Sequence, residues 1–308
     1  MENQITIREA VLKDEITAFW ERLSICRNRN RFPASGADGL GYAPGSGYYD
    51  RMIKLCGRPR NRCHFLLFQR DGQDIGLAMP VIYTSEDSRC FIAEYGIYPQ
   101  FRGNGLGREC ARVLLNWAKE HGAQYAEVNG GSEQWRYFWK IVGFAENGTD
   151  VSGEPLMIVP LAENVPITVE ILSDPEDRQL KRLENGFLRE IGEAPSTEKK
   201  QGRLVRAIRA GKITFFVAKR GCRAVGMCSV APCFSTFACA DMGVFDDFYI
   251  EPVFRRRGIA GKLVKAAQSW CEANGLAGLT VTCATCDEEM YQALGFHTPL
   301  GKTFAHLG

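Results

Sequence analysis

Two short stretches carry residue types that suit a bound phosphate. Arg255-Arg256-Arg257-Gly258-Ile259-Ala260, followed by Gly261, sets three positive side chains and small residues at the mouth of an apolar helix. Arg102-Gly103-Asn104-Gly105-Leu106-Gly107 repeats the pattern earlier in the chain. Each follows a strand-like run and precedes a helical one. At such a junction the first-turn N–H groups have no intrahelical partner and point outward with the positive end of the helix dipole, which suits a pyrophosphate. Gly and Ala are needed because a larger side chain would hold the phosphates away from the amides. Two other phosphate loops are excluded. A dinucleotide fingerprint would need Gly where Arg108 stands, and a Walker loop ending in Gly301-Lys302-Thr303 would need Gly where Phe296 stands.

The elements that must position these loops occur twice. Sliding the chain by 153 residues lays Pro99 on Pro252, Phe101 on Phe254, Arg102 on Arg255, Gly105 on Gly258, Trp117 on Trp270 and Gly122 on Gly275. "FWKIVGF" (138 to 144) likewise parallels "MYQALGF" (290 to 296), and "ITIREA" parallels "ITVEIL". A period this long in two copies is a duplicated domain and not a solenoid. The seam lies at residues 160 to 166, "PLAENVP", which predicts domains over 1–162 and 166–308. Each copy reads as a first strand, a helical region, a hairpin, a strand, the glycine loop, a helix, a further strand and a short helix. In the second copy Ile259, Leu263, Ala266, Ala267 and Trp270 recur at helical spacing. The fold class is α+β, with a mixed sheet in each copy.

Composition narrows the function. The 308 residues are 45% hydrophobic and 24% charged, enough for two ordinary cores. A net charge of +2 excludes a protein that binds polyanions through its overall field, so no nucleic-acid partner is expected. Charges stand where a signal peptide would have its apolar core and no apolar run is long enough to span a bilayer, so a cytoplasmic protein without membrane contact is expected. The twelve cysteines are scattered through apolar stretches and read as buried free thiols. Cys283-Ala-Thr-Cys286 lacks a second ligand pair at zinc spacing, so no metal is expected.

Strand, "EPVFRRRGIAGKLV", helix, strand and "MYQALGF", found twice in register, resemble the Gcn5-related N-acetyltransferase (GNAT) family, and the chain resembles a tandem of two such domains. The resemblance implies a mostly antiparallel sheet flanked by helices in each domain, with acetyl-CoA as donor and an amine that attacks the thioester directly. The pyrophosphate would lie on the loop amides of Arg255 to Gly261 and of Arg102 to Gly107. The pantetheine would run along the preceding strand, past Phe248 and Ile250 in the second copy and Ile97 in the first. The acid for the leaving thiolate is matched by Tyr291, whereas Trp139 stands there in the first copy and its indole N–H is no acid at neutral pH. Asp246-Asp247 resembles the acidic pair that binds the amine or relays its proton. Alternation along a strand lets one of the two reach the acceptor, and Asp247 is preferred because it aligns with Glu94.

The leading expectation is therefore an N-acetyltransferase whose second copy does the chemistry, with a first copy that binds acetyl-CoA but has lost the acid. A non-catalytic acetyl-CoA sensor and a chain with both halves catalytic are the alternatives. The acceptor, a small-molecule amine or a peptide N-terminus, is left open, as is the oligomeric state. Two departures stand out. The second copy has no Asn in "TCATCDEE", where many members have one for the pantetheine, and its Cys286 offers a thiol that a double-displacement mechanism could use, although no His lies nearby in sequence. In the first copy, residues 22 to 62 hold nine Lys and Arg against Asp38 and Asp50. A solvated loop or a contact between halves is favoured there over an acceptor site.

Overall fold

The computed structural model describes residues 4–28, 43–150, 153–236 and 238–301. The chain divides into two compact units, Met1–Val165 and Pro166–Gly308. Residues 29–42 of the basic stretch lie outside the described residues.

In the N-terminal unit β1 (Thr6–Glu9) leads to α1 (Lys13–Asn28) and α2 (Gly47–Cys56). There follow β2 (Arg62–Cys63), β3 (Leu66–Arg70), β4 (Gln73–Ile82) and β5 (Arg89–Ile97), then a 3-10 turn at Pro99–Phe101 and α3 (Leu106–Glu120). β6 (Tyr125–Asn129), α4 (Glu133–Val142), β7 (Ala145–Thr149) and β8 (Pro155–Pro160) complete it. The strands form one sheet in the order β1-β3-β4-β5-β6-β8-β7, with β2 paired to β4. Both faces are covered. Leu106, Cys110, Ala111, Leu114 and Ala118 give α3 a buried stripe at helical spacing, and Phe19, Trp20 and Leu23 of α1 pack with Tyr48 and Met52 of α2 on the opposite side. β4 is accordingly buried along most of its length rather than alternately.

Among the described residues the C-terminal unit repeats the order with fewer strands. It runs β9 (Ile167–Ile171), α5 (Arg178–Glu190), α6 (Glu198–Arg209), β10 (Thr214–Arg220), β11 (Arg223–Ser235) and β12 (Ala240–Ile250). A 3-10 turn at Pro252–Phe254, α7 (Ile259–Ala273), β13 (Leu279–Val281), a second turn at Thr285–Asp287 and α8 (Glu288–Ala293) follow. The sheet order is β13-β12-β11-β10-β9. The buried stripe of α7 is Ile259, Leu263, Val264, Ala267 and Cys271, so Ala266 and Trp270 flank the stripe rather than lie in it. Leu180 and Leu183 of α5 pack on Phe215, Val217, Met227 and Tyr249. Gly186 makes this approach possible, since a Cβ there would lie 2.7 Å from the Tyr249 ring.

Both sheets open at the same place. β5 pairs in parallel with β6 only over Arg89 to Phe91, and β12 with β13 only over Gly243 to Phe245. Each longer strand then runs on without that neighbour to the glycine loop, leaving a crevice beside it. All twelve cysteines are free, but Cys222, Cys233, Cys239 and Cys286 are exposed rather than buried, because they lie in turns and at strand ends.

Candidate active site

β12 carries an irregularity where it matters. Its register with β11 shifts between the pairs Met227 to Tyr249 and Ser229 to Asp246, and Asp247 in the bulge adopts φ of +50°. This is the left-handed region, costly for a residue with a Cβ and common at functional sites. The Ser229 hydroxyl donates to Asp247 Oδ2 at 2.7 Å, and the Asp247 N–H donates to Asp246 Oδ1 at 2.9 Å. Burial raises the Asp247 pKa; the Ser229 bond works against it and the Asp246 charge with it. Asp247 faces α5, where Glu184 is largely desolvated. Burial first, and then the charge of Asp247, push the Glu184 carboxyl up to about 7. Asp246 is exposed and its charge is felt at Tyr291.

On the other side of β12, Phe248 turns toward α8. Its ring centroid lies 6.1 Å from that of Tyr291, which in turn meets Phe296 edge-on at 5.8 Å. Tyr291 is half-buried, and burial, followed by Asp287, Cys283 and Asp246, pushes its phenol up to about 12. It therefore keeps its proton across the neutral range. Partial burial and the carboxylates of Glu288 and Asp287 hold the Cys283 thiol up as well, and Cys286 beside it is exposed.

At the end of β12 the loop has the geometry of an anion cradle. Gly258 caps α7 with φ of +75°, and the first helical bond runs from Lys262 N to Gly258 O, so the N–H groups of Ile259, Ala260 and Gly261 belong to the unpaired first turn. Gly258 and Gly261 have nothing within 4 Å of their Cβ positions, so the space outside these amides is open. Arg255 has a different task from its neighbours. Its Nε donates to Ile250 O at 2.9 Å and its Nη2 meets the Glu190 carboxylate, so it closes the turn. Arg256 and Arg257 are exposed. Glu251, just before the loop, is buried and accepts from Arg223 at 2.9 and 3.0 Å and from Arg182, which pins the strand exit in place.

The N-terminal counterpart keeps the backbone and changes the contents. Gly105 caps α3 with φ of +78°, and Arg102 Nε donates to Ile97 O at 2.9 Å, as Arg255 does to Ile250. Gly103 and Asn104 are exposed, and Leu106 and Ile97 are buried. Glu94 is buried and accepts from the Tyr48 hydroxyl at 2.9 Å. Trp139, in the place of Tyr291, is fully buried, and its Nε1 has no hydrogen-bond partner among the described residues. Tyr137 is exposed on the outer face of α4.

Against known families, residues 35–144 match the acetyltransferase (GNAT) family and residues 211–298 match the acetyltransferase (GNAT) domain. The chain is a tandem GNAT protein. As such it is an acyltransferase built from two mixed sheets with flanking helices. Among solved structures, this tandem GNAT protein is similar to an aminoglycoside acetyltransferase from an uncultured soil metagenomic sample, at 17% identity over 46% of this chain and 95% of that one, with a TM-score of 0.41. It is also similar to glucosamine-6-phosphate N-acetyltransferase from Arabidopsis thaliana, at 14% identity over 46% and 99%, with a TM-score of 0.39. A predicted acetyltransferase from Clostridium acetobutylicum, determined with acetyl-CoA, aligns at 13% identity over 46% and 96%, with a TM-score of 0.40. No curated protein matches the tandem GNAT chain. No helix among the described residues is long and apolar enough to cross a membrane.

Sequence reasoning missed Glu184 and Ser229. Glu184 is one acid in a helix of mixed charge, and nothing in its spacing marks it. Only the approach of α5 to β12, set by Gly186, brings it to Asp247. Ser229 lies one bulge away from Asp247, and a bulge has no signature in an apolar strand.

Proposed function

We propose that the C-terminal unit transfers an acetyl group from acetyl-CoA to the nitrogen of a small cationic amine by direct attack. The observation that carries this reading is the division of roles along β12. The carboxylates Asp247 and Glu184 lie on its α5 side, Tyr291 lies on its α8 side, and the open loop is at its end. When bound, acetyl-CoA supplies a thioester carbonyl as the electrophile. The N–H groups of Ile259, Ala260 and Gly261, with Arg256 and Arg257, would hold the pyrophosphate, and Phe248 and Ile250 would line the arm.

Asp247 and Glu184 attract an ammonium group and orient it. Glu184, titrating near neutrality, then takes the proton that must leave before the nitrogen lone pair can attack. As the C–N bond forms and the C–S bond breaks, the Tyr291 hydroxyl donates toward the departing sulfur. The exposed Cys286 has no part in this sequence.

A thiol-release screen of the intact chain with acetyl-CoA tests the reading. Cationic diamines and amino sugars are expected to release thiol and uncharged aromatic amines to release little. Background release across the whole panel, with acetyl-CoA bound, would overturn it in favour of the non-catalytic sensor.

A further inference from the structure

The splay beside β5 is the counterpart of the crevice beside β12, and the N-terminal unit's own side chains cross it. Tyr95 reaches from β5 to the first turn of α3, where its hydroxyl donates to Gly107 O. Phe138 of α4 stacks on the Tyr95 ring, with centroids 5.8 Å apart and planes at 29°, and lies 3.4 Å from where a Cβ on Gly107 would stand. Trp139 backs the stack, 5.3 Å from Tyr95 and fully buried. Strand, loop helix and last helix are thus held together by direct contact.

The loop differs in the same sense. The Arg108 guanidinium lies 3.6 Å from the Cβ position of Gly105, whereas the matching Gly258 meets nothing within 4 Å, and the residue matching Arg108 is Gly261. In the C-terminal unit Phe248 stands at the place of Tyr95 and has no hydroxyl to reach across. Met290 stands at the place of Phe138 and is 41% exposed.

We infer that the N-terminal unit takes no CoA, because Tyr95, Phe138 and Arg108 fill the path and cover the loop that the C-terminal unit keeps open, so each chain binds one cofactor. The inference rests on the proposed function in taking the crevice beside β12 as the cofactor's path. The loop motif alone predicts two sites. A cofactor arm entering beside β5 would have to break the Tyr95 bond to Gly107 and move the Phe138 ring off the first turn of α3. Beside β12 the ring of Phe248 meets Tyr291 at 6.1 Å but makes no such bond to the loop helix.

Calorimetric titration of the full chain with CoA, combined with hydrogen exchange of the bound form, tests it. The expected stoichiometry is one, with protection gained at residues 255–261 and none at 102–107. Gly258→Glu, confirmed as folded by circular dichroism, should bind no CoA. If that variant does not fold, the wild-type stoichiometry and protection map decide alone. A second site, or protection at 102–107, would overturn the inference while leaving the C-terminal assignment standing. No binding at all would overturn the count of one cofactor per chain, and with it the assignment of the C-terminal loop.

Discussion

Ser229 on β11 and Asp247 on β12 are joined across a bulge by a 2.7 Å hydrogen bond, and Asp247 holds a left-handed backbone conformation while making it. The bond stabilises the ionised carboxylate against burial. Ser229→Ala should therefore raise the Asp247 pKa and move its step in the kcat/KM profile, separate from that of Glu184, to higher pH. Hydrogen bonds to charged groups contribute about 1.5 to 3 kcal/mol, so kcat/KM for a cationic amine should fall roughly ten- to a hundredfold at neutral pH. An unmoved pH profile would show that the serine only packs.

Glu184 makes a prediction about stability as well as rate. Its carboxyl titrates near 7 in the folded protein instead of 4.5. Between these values the folded state holds a proton that the unfolded state has released, so this group's contribution to stability falls as pH rises through the window. Glu184→Gln lacks that loss. Thermal unfolding of the full chain should show the variant gaining a few degrees over wild type at pH 8 and little at pH 4. Activity should move the other way, with acetylation of cationic amines weakened in the variant, and in wild type rising with pH through about 7.

Glu251 neutralises Arg223, which is fully buried, and Arg182, which is partly so. Breaking a buried ion pair by removing its carboxylate costs about 3 to 5 kcal/mol. Glu251→Ala should lower the denaturant midpoint of the full chain accordingly. It should also weaken CoA binding, since the strand exit that positions Gly258 loses its anchor. Equal stability of variant and wild type would remove Glu251 from that role.

Much of this is legible in the sequence. The duplicated loop, the strand before it and the last short helix are marked by glycines, arginines and an aromatic at fixed separations, because local backbone geometry demands those residues there. Tyr291 and Asp247 fall in such marked segments. Glu184 and Ser229 do not, since they join the site through helix-to-sheet approach and a register shift, and both are set by tertiary packing. The roles of the arginines were blurred for the same reason. Arg255 looks like its neighbours in sequence, yet it is tied to Ile250 O and Glu190. The stripe of α7 shifted from Ala266 and Trp270 to Val264 and Cys271, a choice between adjacent positions that period alone leaves open.

The measurement that bears most directly on the C-terminal unit as the seat of chemistry is kcat and CoA Kd for Tyr291→Phe beside wild type and Trp139→Phe. The Tyr291 hydroxyl keeps its proton at neutral pH and should donate to the sulfur only as charge builds there. Its loss should lower kcat by about 10²- to 10⁴-fold and leave Kd within about twofold, while Trp139→Phe leaves kcat at the wild-type level. A Tyr291→Phe enzyme that keeps more than roughly half of the wild-type kcat, with chemistry rate-limiting, would contradict the account.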